Sequence, residues 1–258
     1  MNYRVVIPAR HASARLPGKP LLVLAGKPMI RWVHERACRS AAAEVLIATD
    51  DDRIASAARD FGATVAMTAS THRSGSDRIA EVVRSAGWAD EDIVVNVQGD
   101  EPLMPPALID QVAALLAQHP GADIATLAMP LDSLDAFLDP NAVKVVTDGR
   151  QRALYFSRAP IPWCRDGVSA GQGLAGQRRF DGARRHVGIY AYRVAALRRL
   201  AALAPGVLEE LEQLEQLRAL ENGMDIRVAD CVVPPGADVN TPADLARVAA
   251  LLQEAAGE

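Results

Sequence analysis

The chain has 258 residues, half of them hydrophobic, and a formal net charge of −4, which excludes nucleic acid as the main partner because phosphate-backbone binding needs a basic surface. Its three cysteines, Cys38, Cys164 and Cys231, are far apart and form no Cys-x-x-Cys pair, which argues against a disulfide framework or zinc site and fits a reducing compartment. With no basic-then-apolar leader and no apolar run near the ~18 residues of a spanning helix, the expectation is a soluble cytoplasmic protein that touches no membrane.

Short β-branched runs then alternate with alanine-rich helical stretches. Strands are predicted at 4–8 (RVVIP), 44–49 (EVLIAT), 64–67 (TVAM) and 92–98 (DIVVNVQ), with helices at about 28–40, 52–61, 76–86 and 105–118. Pro28 suits a first helical turn, where its missing N–H costs nothing. Asp50 or Asp51 can cap the helix that follows. Strands that are apolar throughout predict burial on both faces. Strand–helix–strand order at this spacing predicts a parallel sheet with right-handed crossovers.

The second half is more mixed. ADIATLAMP, AVKVVTD, RALYFSR, RHVGIYAYR and DIRVAD read as strands. LEELEQLEQLRALENG (208–223) reads as one helix, striped by Leu208, Leu211, Leu214, Leu217 and Leu220, with Gly223 near its end. Residues 164–184, rich in Gly and Arg, read as a mobile loop. A helix closes the chain from about 242.

One stretch does not follow this rhythm. After its strand, VVIPARHASARLPGKPLL (5–22) carries Arg10, His11, Arg15 and Lys19. The first 34 residues hold six Lys or Arg and no acid. Such asymmetry suggests a small anionic ligand, against the alternative of an ordinary solvated basic surface. In open parallel sheets ligands sit beyond the carboxyl ends of the strands, where this loop lies. Arg10 and Arg15 offer planar forks and Lys19 a point charge, all suited to a polyphosphate. The loop is not a P-loop, since Gly18-Lys19 precedes Pro20, and no Gly-x-Gly-x-x-Gly turn is present. A polyphosphate usually brings Mg²⁺, which wants hard oxygen ligands. Asp100 and Glu101, in VNVQGDEP after an apolar strand, can supply them or can simply begin a turn. His186, alone in its strand, and Glu215 and Gln216, on the leucine-striped helix, are each open to a purely structural reading.

Taken together, IPARHASARLPGKPL, GKPMI, NVQGDEPLMPP, DPNAVKVV, ALYFSRAPIPW, RHVGIYAYR and LEQLEQLR occur in order. They closely resemble the 3-deoxy-manno-octulosonate cytidylyltransferases (CMP-Kdo synthetases), from residue 4 to about 248. The resemblance implies a single domain with a Rossmann-like nucleotidyltransferase α/β fold. Its mostly parallel central sheet would be joined by a smaller mixed part for sugar binding and dimerisation. Residues 1–130 would mainly bind CTP, 131–235 would mainly bind sugar and dimerise, and 236–258 would return to the metal site and closing helix. The implied reaction is CTP plus 3-deoxy-manno-octulosonate (Kdo) giving CMP-Kdo and pyrophosphate, with Mg²⁺, in a homodimer that serves lipopolysaccharide biosynthesis. The nearest alternative substrate is 8-amino-Kdo or a sialic acid. More distant readings are a sugar-nucleotide-consuming glycosyltransferase and a non-catalytic nucleotide-binding regulator.

The resemblance also implies roles. Arg10, Arg15 and Lys19 would hold the triphosphate. Ser74 and Arg78, within HRSGSDR (72–78), would form the cytosine pocket with Gln98. Asp100 would bind Mg²⁺. Arg158, His186, Tyr190, Glu215 and Gln216 would face the sugar acid. No strong general base is evident. The chain departs from the family in HRSGSDR, where the family often reads His-Gln-Ser-Gly-Thr-Glu-Arg, and near the C-terminus, where the family usually reads Gly-Val-Asp-Thr-Pro and takes its second metal ligand from that aspartate. Here the segment is ADVNTPADL (237–245), with Asn240 at the aspartate's place and Asp238 two residues earlier. The ligand set is thus one negative charge short. In an extended segment both side chains point to the same side, so Asp238 can supply the charge. The competing reading has Asp238 facing solvent and Asn240 capping the helix that begins near Pro242.

Overall fold

The computed structural model describes residues 2–12, 16–72, 74–168 and 172–257. Its first half follows the predicted alternation: β1 (Tyr3–Ala9), the two-residue strands β2 (Val23–Leu24) and β3 (Lys27–Pro28), α1 (Met29–Ala37), β4 (Glu44–Thr49), α2 (Asp52–Asp60), β5 (Thr64–Met67), α3 (Gly75–Ala86), β6 (Ile93–Asn96) and α4 (Pro106–Gln118). The second half adds β7 (Ile124–Pro130), α5 (Leu134–Leu138), β8 (Lys144–Thr147), β9 (Ala153–Ser157), β10 (Arg184–Arg193), α6 (Val194–Ala202), α7 (Val207–Glu212), α8 (Gln216–Glu221), β11 (Ile226–Asp230) and α9 (Pro242–Gly257).

The main sheet runs β11-β7-β10-β6-β1-β4-β5. β1 pairs in parallel with both β4 and β6, and β4 with β5, while β10 runs antiparallel between β6 and β7. β8 branches from β10 and carries β9. The reason for burial on both faces is visible in β1. Tyr3, Val5 and Ile7 point into one core with Ile30, Val33, Leu108 and Val112, whereas Val6 points into the other with Ile79, Val83 and Leu197. Helices α1, α2 and α4 therefore cover one face, and α3, α6 and α8 the other. A third cluster, with Leu24, Met29, Val239, Val248 and Leu252, seals α9 against the β2–β3 hairpin. No helix among the described residues is long and apolar enough to cross a membrane.

Between β1 and β6 the chain reverses its direction across the sheet. From β1 it moves outward through β4 and β5, then α3 carries it back to the other side of β1. That reversal opens a crevice at the carboxyl ends of β1 and β6, the position at which open α/β sheets hold ligands. Local caps fix the helices around it. Asp51 caps α2 by accepting from the N–H groups of Arg53 (3.0 Å) and Ile54 (3.3 Å), and Ser74 caps α3 by accepting from Asp77 N (3.1 Å).

The expected single helix over 208–223 is instead two short ones. α7 ends at Gln213, which adopts a left-handed conformation with φ 52°, and α8 begins anew at Gln216. Leucines spaced every third residue explain the break. At about 100° per residue each step of three falls ~60° short of a full turn, so five such leucines sweep most of the way round a helix. Leu217 is fully buried while Leu211 is 77% exposed. A tether holds the break in place, because Ser157 Oγ and Arg158 N both donate to the Glu212 carboxylate, at 2.6 and 2.8 Å. The stretch 164–184 contains two 3₁₀ turns, Arg165–Gly167 and Gly173–Gly176. Beside them Gln177, fully buried, accepts from the N–H groups of Arg178 and Arg179 and donates to Cys164 O.

Candidate active site

The crevice is a cleft of about 210 Å³ lined by Arg10, Lys19, Ser74, Arg78, Gln98 and Asp100, with Pro8, Gly75 and Gly99 in its walls. Six side chains named from the sequence thus meet at one place. They arrive from the loop after β1, the start of α3 and the turn after β6. Gly99 is required by the close approach of the two strand ends, because a Cβ there would lie 2.9 Å from Pro8 O. Arg15, predicted to grip phosphate, lies outside the described residues.

The basic run at the N-terminus is only partly committed to this cleft. Arg4 is paired with Asp92, while Lys27 and Arg31 share Glu35. Lys19 points into the cleft, where Nζ donates to Asp100 Oδ2 at 2.6 Å and to Asn240 Oδ1 at 3.5 Å. Arg78, 3% exposed, is held by Thr68 Oγ1 and by Asp50 Oδ1 (3.1 Å). Of the two aspartates considered for capping α2, Asp51 caps and Asp50 anchors this arginine.

The C-terminal segment reaches the same cleft. Val239 N donates to Asp100 O (3.0 Å), and the Val239 side chain is fully buried. Gly236 permits the approach, since a Cβ there would overlap Leu103 O at 2.2 Å. Asn240 does not cap α9. Asp244 N donates to Thr241 Oγ1 (3.2 Å), while the N–H groups of Asn240 and Thr241 donate to the Asp244 carboxylate (3.2 and 3.0 Å). Asp238, half-buried, is hydrogen-bonded to its neighbour, with Oδ2 accepting from Asn240 Nδ2 at 2.6 Å.

These oxygens suit a hard cation. A carboxylate and an amide carbonyl from separate segments already share one ammonium group, and a second carboxylate stands behind the amide. Glu101, next in the chain, has a buried Oε2 with no hydrogen-bond partner. Burial, and then the negative charge of Asp100 and Asp238, pushes its pKa up to about 8. No group of three His, Cys, Asp or Glu converges into a complete cage among the described residues. The Asp100 carboxylate and the Asn240 amide oxygen would suit Mg²⁺, which typically takes one or two protein carboxylates and completes its shell with phosphate oxygens and water.

A larger cavity of about 770 Å³ adjoins the cleft across His72 and Ser74, and Glu215 and Arg218 line it. Ser74 Oγ donates to Glu215 Oε1 (3.0 Å), joining the two spaces. Burial pushes the Glu215 carboxyl up to about 7. The restart at α8 is what turns Glu215 and the buried Gln216 inward. On β10, His186 is packed edge-on against Phe156 and beside Tyr190, and its Nε2 bonds Thr126 Oγ1 (2.9 Å). Burial holds this imidazole down at about 3 and raises the Tyr190 phenol. Tyr190 pairs in register with Asn96 at the end of β6, two residues before Gln98. Arg158 stands apart, its guanidinium donating to the carbonyls of Glu212 (2.6 Å) and Pro140 (2.9 Å).

His72 opens the segment HRSGSDR expected to help form the cytosine pocket, but its partner, like the role of Lys144, escapes sequence reasoning. His72 lines both spaces and contacts the Glu81 carboxylate of α3, nine residues on. Lys144, fully buried, donates from Nζ to Asp139 O (2.9 Å) and Arg158 O (2.6 Å). It thereby ties the segments DPNAVKVV and ALYFSRAPIPW together.

Comparison with known proteins places the fold. A nucleotidyl transferase from Methanothermobacter thermautotroptrophicus shares the fold at 16% identity, with a TM-score of 0.63 over 98% of each chain. The cytidylyltransferase family model matches residues 4–226. The fold is thus that of a nucleotidyltransferase. Among curated relatives, the 3-deoxy-manno-octulosonate cytidylyltransferase of Thioalkalivibrio sulfidiphilus is 53% identical over 98% of this chain and 100% of its own. That of Cellvibrio japonicus is 55% identical over 98% and 99%. A solved CMP:2-keto-3-deoxy-manno-octonic acid synthetase complexed with CTP superposes with a TM-score of 0.86 at 42% identity, over 98% of this chain and 99% of that one. The chain belongs to the 3-deoxy-manno-octulosonate cytidylyltransferase family.

Proposed function

We propose that this protein transfers CMP from CTP to Kdo, releasing pyrophosphate. The observation that carries the reading is the cleft at the sheet's reversal point, where Lys19, Asp100 and Asn240 converge, in a chain so close to enzymes of that name. The reaction brings together two anions, the sugar carboxylate and the triphosphate, and must stabilise charge developing on the departing pyrophosphate. Lys19 and Arg10 meet the phosphates, with Arg15 in the same loop. Ser74, Arg78 and Gln98 hold the cytidine. Glu215, Gln216, Tyr190 and His186 orient the sugar, whose hydroxyls suit a neutral imidazole and a carboxyl that titrates near neutrality. Arg158, bound to backbone carbonyls, supports that wall. Much of the rate then comes from positioning the sugar hydroxyl in line with the α-phosphorus.

Asp100 and Asn240, backed by Asp238, would hold Mg²⁺. When bound, the ion supplies charge neutralisation for the phosphates. We further place the protein in the cytoplasm as a homodimer that feeds lipopolysaccharide synthesis. Pyrophosphate release measured with CTP against ATP, GTP and UTP, and with Kdo against 8-amino-Kdo and a sialic acid, tests the assignment. CTP with Kdo is expected to be fastest. Faster turnover with a sialic acid or 8-amino-Kdo would replace the substrate and keep the class.

A further inference from the structure

Asn240 is neutral, yet its carbonyl shares the Lys19 ammonium with the Asp100 carboxylate. Its surroundings show how it is made to serve. An asparagine amide can sit either way round, and here its neighbours decide. Oδ1 faces the Lys19 ammonium at 3.5 Å and Nδ2 donates to Asp238 Oδ2 at 2.6 Å. The reversed amide would set its NH₂ against the ammonium and its oxygen against the carboxylate, two repulsive contacts in place of two attractive ones. The backbone leaves little other freedom. Val239 is buried and bonded to Asp100 O, so residues 238 and 240 both project to the opposite side. Helix capping, the usual competing task for an asparagine before a helix, is already done by Thr241 with Asp244.

We propose that Asp238 is a positioning residue for cation binding: its carboxylate locks the Asn240 amide with Oδ1 toward Lys19 and Asp100 and polarises it, so that the two side chains act as one anionic oxygen donor. The proposal rests on the nucleotidyl-transfer reading above. Carboxylates hydrogen-bonded behind a metal ligand fix its orientation and raise its basicity, and their loss typically costs about 10–100-fold in metal affinity. A charge one residue removed from the ligand thus replaces a charge on the ligand.

The test is Mn²⁺ binding followed by electron paramagnetic resonance in the presence of CTP, with a melting curve for every variant. Wild type, Asp238→Ala, Asp238→Asn, Asn240→Asp and the exchange Asp238→Asn with Asn240→Asp are compared. Both single changes at Asp238 are expected to weaken Mn²⁺ about tenfold or more at a nearly unchanged melting temperature. The exchange keeps one carboxylate, one amide and the bond between them, and should return affinity to within roughly threefold of wild type. Asn240→Asp alone sets two carboxylates against each other and should fall short of the exchange. Wild-type affinity in Asp238→Ala, or an exchange that binds no better than Asp238→Asn, overturns the proposal. So does a variant whose weaker binding merely tracks a lower melting temperature. If wild type itself took up no Mn²⁺ with CTP, the functional reading would fall first, a result distinct from any difference among variants.

Discussion

At one end of the cleft Lys19, Asp100, Asn240 and Asp238 form a run of charged contacts, with two links of 2.6 Å and one of 3.5 Å. Beyond Ser74, Glu215 lines the adjoining cavity, while His186 and Tyr190, which line neither space, pack against each other on β10; burial suppresses the charged forms of all three. The first region is built of charged contacts around Lys19, whereas burial disfavours charge in the second, as it also does at Glu101 beside Asp100. The difference matches what each must hold. A triphosphate needs fixed cations and a metal, whereas a polyhydroxylated sugar needs donors and acceptors that do not compete with its own carboxylate. It also matches construction. The charged end rests on strand termini and is stapled by Val239 N to Asp100 O. The neutral end depends on a broken helix whose Glu212 is tied to Ser157 and Arg158.

The largest expected effect breaks the charged end. Lys19→Ala should lower kcat/KM by about 10²–10³-fold, the usual loss of one preorganised donor to developing charge, and Asp100→Asn should lose at least as much. Melting temperatures should stay near wild type. Steady-state kinetics of both variants check this, and wild-type kinetics from either would return that residue to an ordinary surface pair.

A smaller effect sharpens the neutral end. The Glu215 carboxyl is raised from an ordinary glutamate value to about 7. The folded protein therefore binds the proton more tightly than the unfolded chain does. Stability from this group is full below the ordinary glutamate range and is lost as pH rises through about 7. Glu215→Gln should flatten that decline, by on the order of 2 kcal/mol between pH 5 and 8. Denaturant midpoints across that range decide it, and parallel curves for both proteins would refute the raised carboxyl. His186, held down at about 3, has the opposite sign. Its contribution is present above the ordinary histidine range and fades as pH falls toward that value, so His186→Gln should flatten the acid limb. The smallest effect concerns the cap of α9. Thr241→Ala should cost about 1 kcal/mol of stability while leaving Mn²⁺ affinity unchanged, which separates capping by Thr241 from ligand duty at Asn240.

The charged end was the more legible of the two in the sequence because its parts are short local signals. An apolar strand followed by QGDEP says where Asp100 falls, and an acid-free basic loop marks Lys19. The strands EVLIAT and TVAM match their structural bounds for the same reason. The neutral end resisted reading where geometry depends on distant contacts. Leucines at a spacing of three suggested one helix over 208–223, but the spacing drifts around the helix axis and Glu212 is captured by β9. Neither Ser74 bonding Glu215, 141 residues apart, nor Asp238 bonding Asn240 can be inferred from residue order. The capping role considered for Asn240 failed because the adjacent Thr241 had Asp244 three residues on, a reciprocal pair that claims the helix start.

The most direct test of the whole account is binding of CTP with and without Kdo and divalent cation, followed by pyrophosphate release from the same samples. The account predicts that CTP binds alone, that Mg²⁺ tightens it through Asp100 and Asn240, and that pyrophosphate appears only when Kdo is added. Tight binding of all three with no pyrophosphate, or equal release with ATP, would contradict it.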